Sequence, residues 1–88
     1  MLTSNNLRGN KGEGMRIESG STNFQISSNI VRQNPSAGIR ILSATAGATN
    51  HFIINGNILR QNSSSSANNL DMQSSVGSNR VVTDNILT

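Results

Sequence analysis

The sequence predicts an all-β chain, a right-handed single-stranded parallel β-helix of about three coils, uncapped at both ends. Three observations predict it. A short motif recurs with spacings of 24, 28 and 28 residues. Each repeat holds three apolar pieces of three to five residues that alternate with period two, the mark of a strand with one buried face. No window shows the 3.6-residue period of an amphipathic helix, and the abundant Asn, Ser and Gly compete with the helical backbone. A period in the twenties with one small variable insertion per turn describes a solenoid.

The motif is seen in Asn29-Ile30-Val31-Arg32-Gln33-Asn34 and in Asn57-Ile58-Leu59-Arg60-Gln61-Asn62. A degenerate copy precedes them, Asn5-Asn6-Leu7-Arg8-Gly9-Asn10, and a shortened one follows, Asn85-Ile86-Leu87-Thr88. A second piece keeps step: Gly14-Met15-Arg16-Ile17, Gly38-Ile39-Arg40-Ile41 and Asn69-Leu70-Asp71-Met72. The third piece is Asn23-Phe24-Gln25-Ile26, then His51-Phe52-Ile53-Ile54, then Arg80-Val81-Val82. Its last apolar residue always sits three before the repeat Asn. The coils are therefore expected at about 1–13, 14–37, 38–68 and 69–88 of a single domain.

A lone coil cannot fold. It buries about five apolar side chains at roughly 1.5–3 kcal/mol each. Ordering ~24 residues costs about 1–2 kcal/mol apiece in backbone entropy. Stacking pairs each strand with its equivalents above and below, about 4.8 Å away. The expected inward columns are Met15/Ile39/Leu70, Ile17/Ile41/Met72, Leu2/Ile26/Ile54/Val82 and Leu7/Val31/Leu59/Leu87. Phe24 and Phe52 stack, and Arg80 takes the third place in their column. Either the register slips by one there, or the position is a corner from which a long side chain leaves the core. The repeat asparagines Asn5, Asn29, Asn57 and Asn85 are expected to form a ladder, each amide donating to one neighbour and accepting from the other. Asn also tolerates the left-handed backbone of a tight turn.

Composition excludes more than it assigns. Charged residues are 12% of the chain, about half the usual share, and the net charge is +3. Without Lys/Arg runs or aromatic platforms, a nucleic-acid partner is not expected. No Cys means no disulfide and no thiolate metal site, and no metal-ligand spacing occurs elsewhere. No cofactor is expected. No apolar run approaches the ~18 residues of a membrane span, and no membrane partner is expected. Met1–Asn6 has neither the basic start nor the apolar stretch of a signal peptide.

These repeats resemble the parallel β-helix repeat of the pectin-lyase-like superfamily. Segments 14–34 and 38–62 carry the resemblance, and 69–88 carries part of it. The resemblance implies a relative of polysaccharide lyases, hydrolases, epimerases and phage tailspike proteins, acting outside the cell or on a virion. It implies that substrate is gripped on the outer face of one parallel sheet. Fold alone does not settle activity.

On that face Arg16, Arg40 and Asp71 stand in one outward column, with Glu18, Leu42 and Gln73 beside it. A patch of Arg16, Arg40, Asp71, Glu18 and Gln73 is the candidate site for an acidic or neutral sugar chain, since Arg pairs carboxylates bidentately. Its competing reading is a solvated face with Arg40 paired to Asp71 or Arg16 to Glu18, such pairs being worth about 0–1 kcal/mol. A second column, Arg8, Arg32 and Arg60, is a candidate polyanion site, although repeat duplication alone also explains it. Catalytic residues are not evident. Glycoside hydrolysis needs two carboxyl groups about 5–9.5 Å apart, and only Glu13, Glu18, Asp71 and Asp84 exist. His51 has no carboxylate or nucleophile near it in sequence. The chain alone is therefore not expected to be an enzyme. Any enzyme containing it would be a polysaccharide lyase or glycoside hydrolase.

Two insertions, 43–49 and 63–68, read either as binding loops on one side of the solenoid or as small polar connectors. No end cap is legible, so the coils are expected to continue into flanking coils of a larger chain or to meet another copy. The tailspike resemblance makes a trimer conceivable. The expected function is a polysaccharide-binding or -processing segment of an extracellular or phage-associated protein. The alternative is a non-catalytic assembly solenoid of a fibre or surface protein.

Overall fold

The computed structural model describes residues 1–10, 12–62 and 69–88. Those residues contain eleven strands and no helix: β1 (Leu2–Thr3), β2 (Asn6–Arg8), β3 (Met15–Ile17), β4 (Thr22–Ser27), β5 (Ile30–Arg32), β6 (Ile39–Ile41), β7 (Asn50–Asn55), β8 (Ile58–Arg60), β9 (Leu70–Met72), β10 (Arg80–Thr83) and β11 (Ile86–Leu87). Every pairing is parallel and joins a strand to its equivalent one coil on. Three sheets result: β1-β4-β7-β10 (sheet A), β2-β5-β8-β11 (sheet B) and β3-β6-β9 (sheet C). The chain is a parallel β-helix with three complete three-strand coils, 14–32, 38–60 and 69–87, preceded by the two strands of a partial one.

The register matches the repeats residue for residue. Met15 pairs with Ile39 and Ile39 with Leu70; Val31 pairs with Leu7 and Leu59. Parallel pairing superimposes identical faces, so the alternating Ile, Val and Leu become continuous columns. Ile26, Val31, Ile39, Ile41, Ile54 and Leu59 are fully buried, with Leu7, Met15, Ile17, Leu70, Met72 and Val82 packed against them at the periphery. The Phe24 and Phe52 rings lie 4.8 Å apart and 6° from parallel. Arg80 pairs with Phe52, so the register does not slip. Its side chain leaves the column, with Nη1 donating to the Val76 and Gly77 carbonyls.

The asparagine ladder is present. Asn5 donates through its backbone and side-chain nitrogens to Asn29 Oδ1, both at 3.0 Å. Asn29 does the same to Asn57, and Asn57 to Asn85. Each side-chain nitrogen also reaches a backbone carbonyl of the coil before: Leu2 for Asn29, Ile26 for Asn57 and Ile54 for Asn85. The left-handed backbone belongs not to the ladder asparagines but to the residue before each: Ser4, Ser28, Gly56 and Asp84, with φ of 59°, 59°, 67° and 56°. That residue turns the corner, and the Asn after it fastens the corner to the next coil.

A second ladder lies at the other end of sheet B. Asn10 donates twice to Asn34 Oδ1, Asn34 twice to Asn62 Oδ1 and Asn62 twice to Asn69 Oδ1. Again the preceding residue is left-handed, Gly9, Gln33 and Gln61. Both corners of sheet B are thus built alike.

Candidate functional site

Sheet C carries a charged strip on its outer face. Parallel register puts Arg16 beside Arg40 and Arg40 beside Asp71. Glu18 Oε1 accepts from Arg16 Nε at 2.7 Å, and Asp71 Oδ2 accepts from Arg40 Nε at 3.1 Å. Glu13 lies between the two arginines and accepts from both, at 3.2 Å from Arg16 and 2.8 Å from Arg40. The result is an unbroken chain, Glu18–Arg16–Glu13–Arg40–Asp71, across three coils. Two cations face three anions, which leaves one negative charge.

The strip's electrostatics follow from those contacts. Glu13 is held below its ordinary value of 4.5, first by a hydrogen bond from its own backbone N–H, then by Arg40 and Arg16, against the opposing effect of partial burial. Arg16 is pushed further up, chiefly by its hydrogen bond with Glu18. Gln73, the fifth residue expected in the patch, is turned to the adjoining loop, where its Oε1 accepts from Ser43 N at 2.7 Å. Sequence reasoning left Glu13 out of the patch. It precedes the strand and belongs to no repeated column, so spacing gave no signal for it; only its sign, opposite two arginines, pointed that way.

The Arg8, Arg32 and Arg60 column is on sheet B, in register on three successive coils. None of the three forms an ion pair among the described residues. Arg8 Nε donates to Gln33 Oε1 at 2.9 Å, whereas Arg32 Nε is buried without an acceptor. Beside this column run Ile30, Ile58 and Ile86, outward-facing and paired in register. Ile30 is 38% exposed and Ile86 54%.

His51 lies on sheet A at a left-handed kink it shares with Asn23, φ 55° and 56°. The kink opens a shallow groove of about 510 Å³, lined in part by Phe24, Phe52, Ile53, Asn79 and Arg80. Among the described residues no carboxylate or nucleophilic hydroxyl lines it.

The 43–49 insertion is pinned rather than loose. Ser43 Oγ donates to Thr45 O and accepts from Thr49 N, while the fully buried Thr49 hydroxyl donates to Leu42 O and accepts from Gly20 N. The 63–68 insertion lies outside the described residues. Among the described residues no three His, Cys, Asp or Glu side chains gather as a metal would need. No family model, curated protein or solved structure matches this chain.

Proposed function

We propose that this β-helix segment, of the pectin-lyase-like kind, binds an extended polysaccharide along sheet C, in an extracellular or virion-associated protein. The observation that carries the reading is the unbroken Glu18–Arg16–Glu13–Arg40–Asp71 chain of charged groups on consecutive coils. A sugar chain laid along the helix axis meets alternating acceptors and donors. Its hydroxyls donate to the carboxylates and accept from the guanidinium groups. The one negative charge left over favours a neutral chain over an acidic one.

The same contacts argue for binding over hydrolysis. A general acid must hold its proton near the working pH, which requires a raised carboxyl pKa. Glu13, which lies between the two arginines, is shifted the opposite way.

The test is calorimetric titration of the purified protein with neutral and acidic oligosaccharides, repeated with R16A/R40A. Binding of a neutral chain that falls at least tenfold in the variant, with an unchanged circular dichroism spectrum, is expected. Equal binding by the variant removes sheet C as the site. Absence of binding to any oligosaccharide would favour the second reading, an assembly module. That reading draws support from the two ladders, which commit the buried amides of Asn29, Asn34, Asn57 and Asn62 to the scaffold.

A further inference from the structure

We infer that the outer face of sheet B is a docking surface for an anionic lipid bilayer. The face has two parallel columns. Ile30, Ile58 and Ile86 form an apolar one. Arg8, Arg32 and Arg60 form a basic one, two residues further along the strand in β5 and β8, with Asn6 in the isoleucine place on β2 and Thr88 in the arginine place after β11. The strands of this sheet contain no acidic residue. Three of the chain's four carboxylates, Glu13, Glu18 and Asp71, are engaged on sheet C, and Asp84 lies at the corner before β11.

The contrast between the two arginine columns carries the argument. On sheet C the arginines are neutralised by partners within the protein. On sheet B, among the described residues, they have no carboxylate partner, and Arg32 holds a buried Nε without an acceptor there. Successive cations at strand spacing repel one another, and among the described residues only the neutral Gln33 amide, which accepts from Arg8, faces them; no carboxylate does. An anionic partner is the missing complement. The isoleucine column narrows its chemistry. Exposed β-branched side chains gain by entering an apolar phase, and long arginine side chains can follow them while keeping the guanidinium at the headgroups. A nucleic acid would call for aromatic platforms, and both phenylalanines are on sheet A. Such a face rests on the bilayer without crossing it, so docking does not require a spanning helix, and no helix among the described residues is long and apolar enough to be one.

The probe is co-sedimentation of the purified protein with phosphatidylcholine vesicles, with and without phosphatidylglycerol. Binding is expected only when phosphatidylglycerol is present, and it should weaken as salt rises. Each surface arginine is worth about a fivefold change in affinity, so R8Q/R60Q should lower binding by more than about tenfold. I30S/I86S should lower it at every salt concentration. All four positions are exposed, so both variants should keep the parent's circular dichroism and melting curve. Binding to neither vesicle, binding to both equally, or indifference to both variants would overturn the proposal. So would retention on dextran sulfate without vesicle binding, which would assign the arginines to a soluble polyanion instead.

Discussion

Asn57 shows how one side chain fixes a corner. Its Oδ1 accepts from the backbone and side-chain nitrogens of Asn29, while its own Nδ2 donates to Asn85 Oδ1 and to the Ile26 carbonyl. Asn57 itself is fully buried. An alanine there leaves the Asn29 amide and the Ile26 carbonyl without partners in a dry interior. Each such orphan costs about 1–3 kcal/mol, so N57A should lose about 3 kcal/mol or more. Urea denaturation followed by circular dichroism measures it, and a loss under about 1 kcal/mol would mean that water enters the corner. The ladder was legible because the same residue returns at every coil. The left-handed residue before it was not, because Ser4, Ser28, Gly56 and Asp84 share no chemistry that a repeat search detects. What they share is a backbone angle, which costs a non-glycine residue roughly 1–2 kcal/mol. The ladder hydrogen bonds offset that cost.

At the scale of the element, strands were easier to read than connections. Period-two alternation named every strand of the three complete coils, since a parallel stack buries the same face on each level. The second ladder went unread although Asn10, Asn34 and Asn62 end the repeated motif. Its last rung is Asn69, which enters from the start of β9 only seven residues after Asn62. Spatial neighbours across an insertion need not keep the sequence period. The same junction explains a glycine. A Cβ on Gly38 would lie 2.6 Å from Asn69 O and 2.7 Å from Asn62 Nδ2, closer than such atoms approach. G38A must therefore push apart the last rung of the ladder or displace β6. A loss of about 2–3 kcal/mol is expected, as for other overpacked sites, and thermal unfolding of the variant would report it. A melting temperature equal to the parent's would show that the β6–β9 junction yields without cost. The candidate site divides in the same way. Arg16, Arg40, Asp71 and Glu18 were legible as outward neighbours of repeated apolar residues. Glu13 was not, because it is placed by charge and not by repetition.

The whole molecule is a one-dimensional stack, and its stability should be distributed accordingly. Strands β4 to β8 have a parallel neighbour on both sides, whereas β1, β2, β10 and β11 have one neighbour each among the described residues. Burial follows the same gradient. Ile26, Ile54 and Leu59 are fully buried, while their column-mates Leu2 and Leu87 are 40% and 46% exposed. In such a stack each coil gains its stability from its neighbours, so outer coils open at lower free energy than inner ones. Native-state hydrogen exchange read by mass spectrometry tests this directly. Amides in 24–32, 39–41 and 52–60 should exchange slowly and together, through global unfolding. Those in 2–8 and 80–87 should exchange faster and independently of one another, because they lie on opposite edges of the stack. Uniform slow exchange in both outer segments would contradict that gradient. It would mean that the strand edges at β2 and β11 are covered in solution, and the surface to pursue would then be the coil edges. A gradient as expected leaves the side faces, the ion-paired strip of sheet C and the arginine column of sheet B, as the stable platforms on which a long ligand can be held.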